Sequence, residues 1–203
     1  MRFSINGLKA FVVFGLTSAF LISCGADKKN EKIKPLTKAE RLEKLPSEEQ
    51  LQQRFDEYLS ALNEGDVGAE GRYMPKYLVT NFANEGGISN TEFLSILREA
   101  NVENRNKYEE TVWKGDLTLN PIEASSSGDR KYKVIPFELL SRPRGQTNCI
   151  TRMTMDVFAM TSGDDWYFVP IRNDHIYDVF KSTYKSLENI EFQPTSNTLK
   201  ECR

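Results

Sequence analysis

Histidine is almost missing from this chain: His175 stands alone among 203 residues. A serine or cysteine triad, a histidine-bearing zinc cluster and a histidine acid–base pair all rest on that side chain, so each loses most of its ground. With Asp174 and Asp178 beside it, His175 reads as a surface residue in the first turn of a helix. Cysteine is nearly as scarce, three in all, too few for a disulfide-dense scaffold. A phosphate-binding glycine loop is lacking as well, since Gly86-Gly87 has neither the spacing nor the lysine of one. Basic charge is not concentrated either: 27 cationic side chains meet 29 anionic ones, for a formal net charge of −2. Displacing counterions from nucleic acid takes a concentrated basic face, so no nucleic-acid partner is expected. No internal repeat and no catalytic, metal or cofactor motif stands out. Aromatic residues, by contrast, make up 11% of the chain. They are enough to build a core without a metal, and a body of about 150 residues buries roughly 70% of the surface its unfolded chain exposes.

The most apolar run lies at the start. Arg2 and Lys9 are followed by an apolar stretch over Ala10 to Phe20, and then by Leu21-Ile22-Ser23-Cys24. That order resembles the signal peptide and lipobox of a bacterial lipoprotein. The resemblance implies removal of residues 1–23 as a signal peptide, diacylglycerol on the Cys24 thiol, and a further acyl chain such as palmitate on the freed amine. The apolar stretch is short for a membrane span. One acyl chain holds a protein only marginally, whereas two or three hold it stably. The expected address is therefore the bacterial cell envelope, bound to a membrane through lipid on Cys24. Gly25 and Ala26 put no aspartate at the second mature position, which in enterobacteria-like sorting favours the outer membrane, facing the periplasm, over the inner. Losing the two cations Arg2 and Lys9 takes the net charge from −2 to −4.

Residues 24–46 read as the lipidated cysteine and a flexible tether. Lys28, Lys29, Lys32, Lys34, Lys38 and Lys44 mix with Glu31, Glu40 and Glu43, and too few apolar residues are present to offset the entropy of ordering. A transient helix is expected over Thr37 to Leu45. The lysines read as a solvated spacer, with contact to anionic headgroups or cell wall as the sharper alternative.

The body runs over residues 47–192. Ser47-Glu48-Glu49-Gln50 is a capping box, and Leu51, Phe55, Leu59 and Leu62 then recur at helical spacing up to Asn63-Glu64-Gly65-Asp66. A short second helix is expected over Arg72 to Phe82, with Pro75 in its first turn. Ser89-Asn90-Thr91-Glu92 caps a third, whose stripe is Phe93, Leu94, Leu97 and Ala100. Strand-like stretches follow: Val112 to Leu119 with a bulge or turn at Gly115-Asp116, a possible edge at Pro121 to Ala124, Lys131 to Leu140, Ile150 to Met160, and Trp166 to Ile171. The turns between them are too short for parallel crossovers, so the pairing is antiparallel. Asp174 is expected to cap a last helix bearing Ile176, Val179, Phe180 and Leu187, and residues 193–203 read as a loose tail. Helices segregated from strands give an α+β fold, with the N-terminal helices packed on a curved antiparallel sheet.

Three segments carry a resemblance over about residues 47 to 190. Ala61-Leu62-Asn63-Glu64-Gly65-Asp66 is similar to the opening helix and turn of the nuclear transport factor 2-like cone, which is a cystatin-like fold. Tyr73-Met74-Pro75-Lys76-Tyr77-Leu78 is similar to its short second helix. Ser162-Gly163-Asp164-Asp165-Trp166-Tyr167-Phe168 is similar to its final hairpin. The resemblance implies a cavity, lined weakly by Tyr58, Tyr77, Trp113 and Asp156, and a homodimer through the open sheet face. It implies no particular reaction, because the family holds isomerases, dehydratases, small-molecule binders and partner modules. Tyr58, Tyr77 and Trp113 also fit ordinary core packing, and Asp156 falls on the polar side of an alternating strand. The expectation is a non-catalytic module, without cofactor or metal, that binds a small apolar ligand or an envelope protein. The alternative is a pocket enzyme of isomerase or dehydratase type using a carboxylate base. Once Cys24 is lipidated, Cys149 and Cys202 are the only cysteines left, in a compartment where disulfides persist. A bridge between them is expected to stabilise the fold by roughly 4 kcal/mol and to pin the tail; two free thiols are the alternative.

Overall fold

In the computed structural model, residues 35–187, 190 and 197–202 are described. The expected signal peptide and Cys24 lie outside them. Among the described residues, no helix is long and apolar enough to cross a membrane.

The compact unit begins at Leu36, inside the stretch read as tether. Thr37 and Glu40 form a reciprocal cap on α1 (Lys38–Glu43). The Lys38 ammonium donates to the Ser126 carbonyl at 3.3 Å and the Arg41 guanidinium to the Ser127 carbonyl at 3.1 Å. The helix expected there as transient is thus docked by two of its own cations.

The Ser47 box opens α2 (Glu48–Glu64) as expected, and Leu51, Phe55, Tyr58 and Leu62 are all buried along one face. Gly65 ends the helix with φ 80°, a left-handed conformation that glycine adopts without a Cβ clash. The short second helix is two. Met74, ahead of Pro75, is extended with ψ 140°, as a residue before proline prefers. The chain therefore breaks into α3 (Ala69–Tyr73) and α4 (Lys76–Glu85), with Pro75 at the start of the latter. The Ser89 box opens α5 (Asn90–Asn106), but no residue of that helix is fully buried. Phe93 and Leu97 reach the core only in part. The last helix, α6 (Asp174–Thr183), is capped by Asn173 rather than Asp174, the Asn173 side chain accepting the Ile176 N–H at 2.9 Å.

The sheet is antiparallel, in the order β1-β3-β4-β5, and strongly curled into a half-barrel. Its strands are β1 (Tyr108–Gly115), β2 (Glu123–Ala124), β3 (Lys131–Pro143), β4 (Cys149–Ser162), β5 (Asp165–Ile171) and β6 (Asn197–Cys202). β1 starts earlier than the apolar pattern suggested and stops at Gly115. There the Asp116 carboxylate takes the Thr118 N–H at 2.8 Å and turns the chain away. β2 extends the β1 edge of β3. The tail read as loose contains β6. β5 covers only Asp156–Ser162 of β4, and β6 covers Cys149–Thr154 on the same side, satisfying backbone groups that would otherwise be left bare. In that register Cys149 faces Cys202, and the two sulfurs lie at disulfide-bonding distance.

Strand alternation divides the core in two. Ile135, Phe137, Met155, Val157, Ala159, Trp166 and Phe168 point to α2 and α3, while Phe158, Met160, Val169 and Ile171 point the other way, to α4 and α6. Tyr58 stacks on Phe168 with centroids 4.9 Å apart, and Phe158 meets Phe180 edge-on at 4.6 Å. The buried Trp166 donates its indole N–H to the Ser47 carbonyl at 2.9 Å, tying the first turn of α2 to β5. This is an α+β fold, with N-terminal helices packed on a curved antiparallel sheet, consistent with a nuclear transport factor 2-like cone.

Candidate functional site

Near the C-terminal end of α2 the curled sheet and the helices part, leaving a cavity of about 230 Å³. At roughly 30 Å³ per molecule in the liquid, that is room for about eight waters. Its floor is one rung of the sheet: Trp113 pairs with Leu139, and Leu139 with Met153. The next rung deeper is Gly115, Phe137 and Met155. A Cβ on Gly115 would come within 2.5 Å of Phe137 and 2.6 Å of Phe55, so the bare glycine is what lets these two rings close the inner end. Leu62 and Val67 supply the opposite apolar wall.

Polar groups enter from two sides. Glu70 of α3, 5% exposed, is ion-paired with Arg172 just past β5. Burial opposes the Arg172 charge, but the Glu70 carboxylate more than offsets it, and the guanidinium pKa is raised. Asp66 is paired with Arg72 and also accepts the Gly68 N–H at 2.8 Å. The Arg72 bond, opposed by some burial and aided by Gly68, holds its carboxyl below the ordinary range. The lip is α5: Asn101 donates to the Val67 carbonyl at 3.2 Å and Arg105 to the Gly65 carbonyl. α5, poorly buried, is thus fastened to the turn after α2 at the cavity mouth.

Of the four side chains expected to line a pocket, only Trp113 does. Tyr58 lies behind the wall, 1% exposed, its hydroxyl pKa raised by burial and by the Glu70 charge. Tyr77 is 63% exposed on α4. Asp156 follows Met155 by one residue, so it points to the opposite face of the sheet. There burial alone raises its pKa. His175 is exposed, 3.6 Å from Glu85. Sequence reasoning missed Glu70 and Arg172, which lie 102 positions apart and carry no local signal. Asn101, Asn104 and Arg105 were legible only as a polar helical face, a pattern normally given to solvent.

The site combines apolar walls, a neutralised charge pair and a polar lip. Both wall carboxylates, Glu70 and Asp66, are engaged by arginines, an arrangement suited to orienting a polar end of a ligand rather than to abstracting a proton. Among the described residues, no three His, Cys, Asp or Glu side chains gather as a metal site. The chain matches no protein-family model, no curated protein and no solved structure.

Proposed function

We propose that this protein is a lipid-anchored module of the bacterial envelope that holds a small, mostly apolar ligand in the cone's cavity. The observation that carries this reading is the cavity itself. Its floor is an apolar rung of three strands, with the Glu70–Arg172 charge pair in the wall. Such a site takes an apolar body and fixes one polar end. The anchor rests on Leu21-Ile22-Ser23-Cys24. It places the module on a membrane of the envelope, with the outer membrane favoured on the periplasmic side. The isomerase or dehydratase alternative needs a free carboxylate base; Asp66 and Glu70 are each held by an arginine, and Asp156 points away.

A second reading, docking to an envelope protein or to another copy, is favoured by one patch. Ile150 and Leu199 are more than half exposed on the outer sheet face. Their neighbours there include Leu140 and Arg152, in register with Leu199.

Native mass spectrometry of the chain extracted from bacterial membranes tests both. A ligand gives a reproducible excess mass that disappears in Leu139→Trp, which fills the cavity. A bare monomer in both proteins rejects the ligand reading, and a bare dimer shifts support to the sheet face. Cys24→Ser is expected to lose the acyl mass and leave the membrane fraction; an unchanged distribution sinks the anchor.

A further inference from the structure

Beneath the first turns of α2 lies a second cleft, of about 510 Å³. Leu51 and Gln52 form one wall, the connection from Leu117 to Ile122 the other, and Lys133 of β3 reaches in from the sheet. Strand alternation puts Lys133 on the same inward face as Ile135 and Phe137, and it is only 4% exposed. Among the described residues no ion pair or hydrogen bond engages its ammonium. Two carboxylates are nearby. Glu48 is exposed on the first helical turn, and Asp116 acts on Lys133 only through space, its oxygen being taken by the Thr118 N–H at 2.8 Å and hydroxyl at 2.6 Å. The ammonium opens into the cleft without an ion pair of its own, and a bound anion would supply a charge-assisted partner there.

We propose that this cleft binds an organic acid. Its carboxylate pairs with Lys133, and its apolar body lies against Leu51, Leu117, Pro121 and Ile122. A single cation flanked by Glu48 and Asp116 suits a monoanion; a phosphate dianion would meet repulsion from both. The site is separate from the first cavity, since Leu51 and Leu62 stand about 16 Å apart along α2 at 1.5 Å per residue.

The test is calorimetric titration of the full chain with octanoate, and separately with octanamide and inorganic phosphate. Octanoate is expected to bind saturably at one site. Lys133→Met weakens it about tenfold or more, the worth of a charge-assisted contact, and octanamide binds the wild type about as weakly. Lys133→Arg retains most of the affinity, which guards against a mere folding defect in Lys133→Met, and thermal melts monitor the fold of each variant. Leu139→Trp leaves octanoate binding unchanged, which separates this site from the first cavity. Equal affinity in wild type and Lys133→Met overturns the proposal. So does loss of binding in Leu139→Trp, saturable binding of phosphate in place of octanoate, or no binding of octanoate.

Discussion

The two halves of the sheet, built from the same two long strands, are packed in opposite ways. In the half that includes Val157 to Met160 and β5, both faces are covered: α2 and α3 lie on one side, α4 and α6 on the other. Val157, Phe158, Ala159, Met160, Trp166, Phe168, Val169 and Ile171 have no exposed surface. In the half made by β1, the start of β4 and β6, one face looks into the cavity and the other toward solvent, and no residue of β1 is fully buried. What differs is not the strands but the helices. α6 and α4 reach only the closed half, whereas α5 touches the open half mainly through polar residues at the cavity lip. The closed half supplies the free energy that lets the open half stay unfilled, because a cavity forfeits packing contacts that must be made elsewhere.

That division is testable, most strongly in the closed half. Phe168→Ala, which removes the ring stacked on Tyr58, is expected to cost about 3–5 kcal/mol, read as a lowered urea midpoint at unchanged slope. Leu139→Ala on the open floor should cost well under half as much; equal losses would break the comparison. The open half has its own fastening. Cys149 and Cys202 span 53 residues, and replacing both with serine is expected to cost about 4 kcal/mol at most in the chain-entropy treatment. Loss of hydrogen-exchange protection should concentrate in β6 and the start of β4. A global loss instead would mean that the halves are not separable. Next comes Arg172→Met, which leaves the buried Glu70 unpaired and is expected to cost about 3 kcal/mol. The double variant with Glu70→Leu should recover most of that loss, as a double-mutant cycle would measure.

The smallest effects are in pH dependence, and two aspartates are expected to differ in sign. Asp66, depressed in the fold, contributes stability that is present above its unfolded pKa and lost as pH falls through the folded value. Asp66→Asn should therefore flatten the acid limb below about pH 4. Asp156 lies at the boundary of the halves, opposite the buried Ile171, and its pKa is raised by burial. Its contribution is present at low pH and lost as pH rises through the folded value, so Asp156→Asn should raise stability at neutral pH. Urea midpoints measured from pH 3 to 8 read both, and equal slopes in the two variants would contradict the assignment of these faces.

The helices were the most legible part of this fold. Ser47 and Ser89 each opened the helix that its capping box announced, because a cap is decided by four consecutive residues. Strand existence was legible from alternation, but not where strands end. Asp116 stops β1 through a side-chain turn, and β6 exists because β5 leaves an edge bare, a vacancy no local pattern records. Of the cavity, Trp113 alone was foreseen. Tyr58 was read correctly as aromatic core and only loosely as pocket. The cone resemblance alone puts Asp156 in the pocket; strand alternation sets it on the other, polar side, because one step along a strand reverses the face.

Local chemistry in the sequence by itself determined the element types, the antiparallel pairing through short turns and the α+β class. Only the tertiary structure decided that α3 and the end of β5 bring Glu70 to Arg172, that the Gly115 rung closes the cavity, and that Lys133 stands in the second cleft without an ion pair. The physical reason is range. Caps, turns and alternation act over a few residues, whereas a cavity and its charges are set by which distant surfaces the curl of the sheet happens to bring together.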